Sequence, residues 1–272
     1  MNRYQNMFHK LKSKKEGCLV PFLTIGDPSV ESFLKIIDIL IEEGIDAIEL
    51  GIPFSDPLAD GPIIQNANLR ALKNGINIFK AFEIIQYIRK KYYTLPIGIL
   101  VYANIIFHTK INMFYKLCKE IDIDSVLIPD IPIEEYFNFH KDIILDNISS
   151  IFICPPNANK ILLKKISKIA KGYIYLLSRS GVTGHQDHIN QPKINIIQQL
   201  KKYSTIPILQ GFGIFHTSQI LSSLSLGVDG IICGSVIIES IEKYQNNPEF
   251  MIQTIRKLIK KFKNATKNQL KY

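Results

Sequence analysis

Short apolar runs recur along this chain, each followed by a stretch of helical periodicity, and that alternation constrains the fold more than any other feature. The runs are Cys18–Thr24, Ile45–Glu49, Pro96–Tyr102, Ser125–Ile128, Ser150–Cys154, Tyr173–Leu177, Pro207–Gln210 and Asp229–Cys233. They are nearly continuous in hydrophobicity, as strands are when helices cover both faces of a parallel sheet. Helical spacing is read over about 2–13, 29–43, 62–73, 78–91, 111–120, 133–146, 158–170, 193–203, 216–226, a segment opened by Gly234-Ser235, and 247–263. In 29–43, for example, Phe33, Ile36, Ile37, Leu40 and Ile41 share one face. Such alternation requires parallel pairing. Repeating units with no break in composition favour a closed barrel over an open doubly wound sheet. The expectation is one α/β domain over 1–272, a (β/α)8 TIM barrel with an extra N-terminal helix. Such barrels typically take ~250 residues.

Composition removes several function classes. No apolar run approaches the ~18 residues that cross a bilayer. The first residues, Met1 to Lys10, lack the apolar core of a signal peptide. A cytoplasmic location is expected. Cys18, Cys118, Cys154 and Cys233 lie far apart in apolar segments, which reads as reduced, buried thiols rather than a metal site. The formal net charge is +9, from 33 Lys+Arg against 24 Asp+Glu. The lysines are spread along helix faces, with no basic run interleaved with aromatics, so nucleic acid is not an expected partner. A positive field does favour a phosphorylated substrate.

In a barrel of this kind the chemistry lies at the C-terminal ends of the strands. The second strand delivers Glu49 there, and the loop after it carries Asp60. Pro53 and Pro57 stiffen the loop by fixing φ, and Gly51 and Gly61 are read as relieving its backbone angles. Two carboxylates on one strand–loop unit suit acid–base work, because different surroundings push their pKa values apart. The plainer reading is a surface turn with two capping acids. Gly184 lies in the loop after strand six, Gly213 after strand seven, and Gly234-Ser235 after strand eight at a helix start. Glycines there let backbone N–H groups approach an anion, and a helix N-terminus adds its dipole, so these four residues are candidates for phosphate binding. Phe22, Leu100, Leu127, Tyr175 and Phe212 fall at or near strand ends and would line a flat apolar pocket for an aromatic group. None of the strand segments holds a lysine that could form a Schiff base. His185 and His188 form a lone pair in a polar loop, and no metal site is expected. What remains is metal-free acid–base chemistry on a phosphorylated substrate.

The stretch from Glu49 to Gly61 resembles the signature loop of the tryptophan synthase alpha chain family. So do Pro62 to Ala67, Tyr102-Ala103-Asn104, Phe152 to Ala158, Tyr175 to Gly184, and Gln210 to Ile214. The resemblance covers essentially the whole chain. It implies reversible cleavage of indole-3-glycerol phosphate to indole and glyceraldehyde 3-phosphate. It implies Glu49 as general acid and base and Asp60 as partner of the indole N–H. It also implies a hydrogen-bonding role for Tyr175 near Glu49, and closure of the loop bearing Thr183 over Asp60. The implied partner is a beta chain, in an assembly of two alpha and two beta chains. The pyridoxal phosphate cofactor belongs to that partner, with no cofactor in this chain. The expected contact residues are Pro53, Asp56, Pro57, Leu58, Asn104, His108 and Pro132. Two features depart from the family pattern. His108 stands where many members have Asn, and residues 185–191 lack an Arg that many carry. Two other readings are another phosphate-binding barrel enzyme, of histidine or thiamine biosynthesis, and a subunit that only activates its partner.

Overall fold

The computed structural model describes residues 2–136, 148–178 and 194–267. Eight parallel strands close into a barrel in sequential order: β1 (Cys18–Thr24), β2 (Ile48–Gly51), β3 (Ile97–Leu100), β4 (Ser125–Leu127), β5 (Ser149–Cys154), β6 (Ile174–Leu177), β7 (Ile208–Gly211) and β8 (Gly230–Cys233). β1 closes the ring on β8, pairing Cys18 with Gly230 and Pro21 with Cys233. A single register row crosses β1 to β4: Phe22 pairs with Glu49, Glu49 with Gly98, and Gly98 with Ser125.

Alternation along each strand divides the hydrophobic interior in two. One set of side chains, including Leu19, Leu50, Ile97, Ile99 and Ile174, packs outward against the helices. The other set, including Val20, Phe22, Leu127, Ile151, Tyr173, Tyr175 and Ile232, fills the barrel itself. The last helix, Pro248–Lys267, buries Met251, Ile255, Ile259 and Phe262, a spacing of three and four residues that keeps one face on the core. Its Lys263 ammonium sits 2.7 Å from both Asp46 oxygens, and Asp46 also accepts the Leu19 N–H. Burial pushes the Asp46 carboxyl up, and the bond to Lys263 opposes that shift.

The first helix, Arg3–Lys14, begins with a capping box between Asn2 and Gln5. It lies across the N-terminal ends of the strands. Arg3 bonds Asp122, Asp124 and the Tyr93 carbonyl, and Tyr4 reaches Ser125 at the start of β4.

Several expectations need correction. The second strand starts at Ile48, not Ile45, because Asp46 turns to meet Leu19 and Lys263 before the strand begins. A helix, Ala103–Thr109, precedes the expected Ile111–Glu120 helix; the two are separated by Lys110 at φ 69°. The helix expected over 133–146 falls mainly on residues outside the described ones, and 133–135 form a turn. Gly51 is not among the residues with positive φ, and Gly61 has φ −84°. Gly51 is required for space instead: a Cβ there would stand 2.7 Å from the Phe22 ring. All four cysteines are buried free thiols. Among the described residues no helix is long and apolar enough to cross a membrane.

Candidate active site

A cavity of about 360 Å³ opens at the C-terminal ends of the strands. Its lining includes Glu49 and Asp60, the expected apolar residues Phe22, Leu100, Leu127, Tyr175 and Phe212, and the expected anion-binding residues Gly213, Gly234 and Ser235. Leu58, expected only as a partner contact, also lines it, and Ala59, Ile64, Pro129, Ile153, Leu177, Ile214 and Ile232, which sequence reasoning did not mark, complete its walls. Thr183 and Gly184 lie outside the described residues, as do His185 and His188.

Glu49 points into the barrel from the middle of β2 and is only 2% exposed. Desolvation pushes its carboxyl up to about 7, and the neighbouring charge of Asp60 pushes the same way. One hydrogen bond opposes the shift: the Tyr173 hydroxyl donates to Glu49 Oε1 at 3.1 Å. The tyrosine bonded to the Glu49 carboxylate is therefore Tyr173. Tyr175 faces the same barrel interior two residues on and forms part of the cavity wall. Both phenols are driven well above their ordinary range by burial and stay neutral, and Tyr173 is the one that donates to Glu49.

Asp60 is held by the loop rather than by a strand. The Pro57 carbonyl accepts its N–H, and the Gln65 side chain donates to its carbonyl. Burial lifts its carboxyl to about 6, against hydrogen bonds from Tyr102 and Asn68. The Tyr102 hydroxyl donates to Asp60 Oδ2 at 3.0 Å and accepts the Ala59 N–H at 3.1 Å. Phe54 stacks on the Tyr102 ring at 5.2 Å, and its N–H reaches Asn68 Oδ1. One loop thus carries Asp60, the ring that braces its hydrogen-bond donor, and the segment expected to meet a partner.

Gly213, Gly234 and Ser235, the expected anion-binding residues among the described ones, line the same cavity. Phe212 and Gly213 have φ of 75° and 71° in succession, a left-handed pair that a bulky residue such as Phe adopts only when its surroundings enforce it. Ser178 Oγ donates to the Phe212 carbonyl and Gln219 Nε2 to the Gly213 carbonyl, both at 2.8 Å, which fixes the turn. Gly234 caps the helix Ser235–Tyr244, whose first turn carries no acidic side chain. The first N–H groups of a helix lack intrahelical partners and carry the positive end of its dipole. Gly234 also has a packing reason: a Cβ would stand 2.9 Å from the Phe22 ring.

The expected contact residues separate. Asp56, Leu58, Asn104, His108 and Pro132 are exposed, Leu58 at 82%. Pro53 and Pro57 are buried, so they shape the loop instead of offering surface. Asn104 and His108, four residues apart on one short helix, share a face. Phe107, 56% exposed on the same helix, was not anticipated.

Known proteins resemble this chain in sequence and in fold. A sequence profile described as "Tryptophan synthase alpha chain" matches residues 8–267. The chain is 54% identical over 265 residues to the tryptophan synthase alpha chain of Buchnera aphidicola subsp. Baizongia pistaciae, covering 97% of this chain and 98% of that one. It is 47% identical over 268 residues to the alpha chain of Escherichia coli O1:K1 / APEC, covering 98% and 100%. Among solved structures it superposes on a tryptophan synthase alpha chain from Legionella pneumophila with a TM-score of 0.86 at 27% identity, covering 98% of each chain. A chain of the tryptophan synthase complex from Pyrococcus furiosus matches with a TM-score of 0.80 at 30% identity, covering 91% and 98%.

Proposed function

The chain belongs to the tryptophan synthase alpha chain family, and from that premise we propose how its residues divide the work. It is a lyase that cleaves indole-3-glycerol phosphate to indole and glyceraldehyde 3-phosphate, in a family whose alpha chains work with a beta chain.

Glu49 is the proton carrier. Breaking the bond between indole carbon 3 and the glycerol side chain requires a proton on that carbon and loss of one from the adjacent side-chain hydroxyl. A carboxyl near 7 holds and releases a proton with comparable ease at neutral pH, so one group serves as acid and then base. Protonation of the ring places positive charge on its nitrogen. Asp60, with a carboxyl near 6, is mostly ionised at that pH and accepts the indole N–H, an interaction that strengthens as charge develops. Tyr102 donates to the other side of this carboxylate and fixes its aim. Phe22, Leu100, Leu127, Tyr175 and Phe212 sandwich the indole. Gly213, Gly234 and Ser235 receive the phosphate together with Gly184, and the loop bearing Thr183 closes over Asp60; Gly184 and Thr183 lie outside the described residues.

The observation that carries this reading is the presence of two buried, pKa-raised carboxylates in one apolar cavity whose far end is lined by glycine backbone and a helix start. We place the contact with the beta chain on Asp56, Leu58, Asn104, His108 and Pro132, shaped by Pro53 and Pro57. We further propose one catalytic domain, an assembly of two alpha and two beta chains, pyridoxal phosphate held by the beta chain only, and a cytoplasmic location. Titration with glycerol phosphate tests the anion end. Gly213→Val adds a branched side chain at positive φ and Gly234→Val collides with Phe22, so affinity should fall at least tenfold in each. Unchanged affinity in both would place the phosphate elsewhere.

A further inference from the structure

Beneath Glu49 the barrel is plugged by a side chain that comes from outside the sheet. Tyr4, on the N-terminal helix, is 2% exposed and lies inside the ring of strands. Its hydroxyl shares a 2.8 Å hydrogen bond with Ser125 Oγ. Its ring meets Tyr173 edge-on, with centroids 5.6 Å apart and an interplanar angle of 72°. Tyr173 is the residue that donates to Glu49 Oε1. Tyr4 is absent from the cavity lining and so touches no substrate.

Two further observations make this placement deliberate. Gly98 pairs with Glu49 on one side and with Ser125 on the other. A Cβ at Gly98 would stand 2.7 Å from Ser125 Oγ and 3.2 Å from the Tyr4 hydroxyl, so the glycine keeps open the space that Tyr4 fills beside the catalytic strand. The helix is also locked in register. Arg3 bonds Asp124, and the next residue, Tyr4, bonds the next residue, Ser125. Asp124 is itself fixed by Arg89 and by the Ile97 N–H at the foot of β3. Adjacent residues on the helix thus match adjacent residues on the sheet.

We propose that Tyr4 is a positioning residue for catalysis: the N-terminal helix inserts it as a post under Tyr173, and Tyr173 in turn holds the Glu49 carboxylate in its working orientation. A hydrogen-bonded carboxylate is only as well placed as the group that bonds it, and small misplacements of a proton-transferring group are costly. The proposal rests on Glu49 being the acid–base group.

The test is steady-state cleavage of indole-3-glycerol phosphate by the full chain. Tyr4→Leu removes the ring; kcat should fall about tenfold with KM within about twofold, because binding contacts are untouched. Tyr4→Phe keeps the ring against Tyr173 and should restore kcat to within about threefold of wild type. In a Tyr173→Phe background, where the bond to Glu49 is already gone, Tyr4→Leu should cost less than about threefold, the non-additivity expected of residues acting in series. Gly98→Ala, which crowds the post from the neighbouring strand, should lower kcat at unchanged KM and serves if Tyr4→Leu does not fold. A purely structural Tyr4 would lower the melting temperature while leaving kcat unchanged, or would give the same loss in both backgrounds; either result overturns the proposal. Glu49→Gln separates the two levels. If it retains turnover, the role of Glu49 fails, whereas an inactive Glu49→Gln beside a normal Tyr4→Leu defeats only the post.

Discussion

A carboxyl group stripped of water opposes folding whenever it is charged, and Glu49 is such a group. Its carboxyl titrates near 7 in the folded chain against 4.5 ordinarily. The folded state therefore holds an extra proton between those values, and its stability declines as pH rises through that window. Glu49→Gln has no such titration. It should be more stable than wild type at pH 8 by about 3 kcal/mol, from 1.36 kcal/mol per unit, and closer to wild type at pH 5. Urea unfolding at both pH values checks this; a gap that does not widen with pH would show that burial does not control the group. Tyr173→Phe works in the opposite sense on the same carboxyl. It removes the bond that lowers the Glu49 value, so the Glu49 limb of the pH profile of kcat/KM should move to higher pH, and a limb that moved down or stayed would contradict the assignment. At this scale the sequence was informative about carboxylates and less so about their partners. Glu49 and Asp60 stood out because a strand end and a proline-stiffened loop presented them. Tyr173 and Tyr175 are two apart, so both face the barrel interior, and which one reaches Glu49 depends on depth in the barrel, set by strand stagger that spacing alone does not reveal. Tyr102 stood out as a strand end and as part of a family stretch, with no sign of a partner, and its bond to Asp60 spans 42 residues.

The loop after β2 behaves as a single element. Its exposed tip, Asp56 and Leu58, and its buried end, Asp60, are joined through Phe54, which stacks on the tyrosine that bonds Asp60. A partner that docks on the tip therefore has a physical path to Asp60, the carboxylate proposed to stabilise the indole charge, limited by its differential affinity for the competent loop. Asp56→Ala should weaken the complex with a beta chain and lower stimulated turnover, while basal cleavage by the isolated chain stays within about twofold. Asp60→Asn should impair both. Sedimentation of mixed chains beside the two assays decides; Asp56→Ala indistinguishable from wild type at limiting beta chain would detach the tip from the interface. Elements themselves were legible where periodicity is long, as in Val30–Glu42 and Pro248–Lys267. The Ala103–Thr109 helix escaped because a lysine in the left-handed region ends it, where a glycine would have signalled the break.

Across the whole molecule the two ends of the barrel are built differently. The N-terminal ends of the strands carry the ion-pair network of Arg3, Arg89 and Asp124 and the Lys263–Asp46 pair; the C-terminal ends carry the cavity. The seam of the last helix lies on the outer shell, so Ile259→Ala, at a fully buried position, should cost about 2–5 kcal/mol of stability and leave KM unchanged. The eightfold alternation made the closed barrel readable in advance, since strands covered on both faces have no polar side to disguise them. Its plug was not readable, because nothing local in the first helix states that Tyr4 enters the ring. In the proposed reaction one buried carboxyl, Glu49, moves both protons of the cleavage. The direct measurement is turnover of indole-3-glycerol phosphate by Glu49→Gln, with glycerol phosphate binding as the control for an intact site. Binding should match wild type while kcat falls by more than about 1,000-fold, roughly 4 kcal/mol of transition-state stabilisation lost. Turnover within about tenfold of wild type, roughly 1.4 kcal/mol, would show that another group carries the proton.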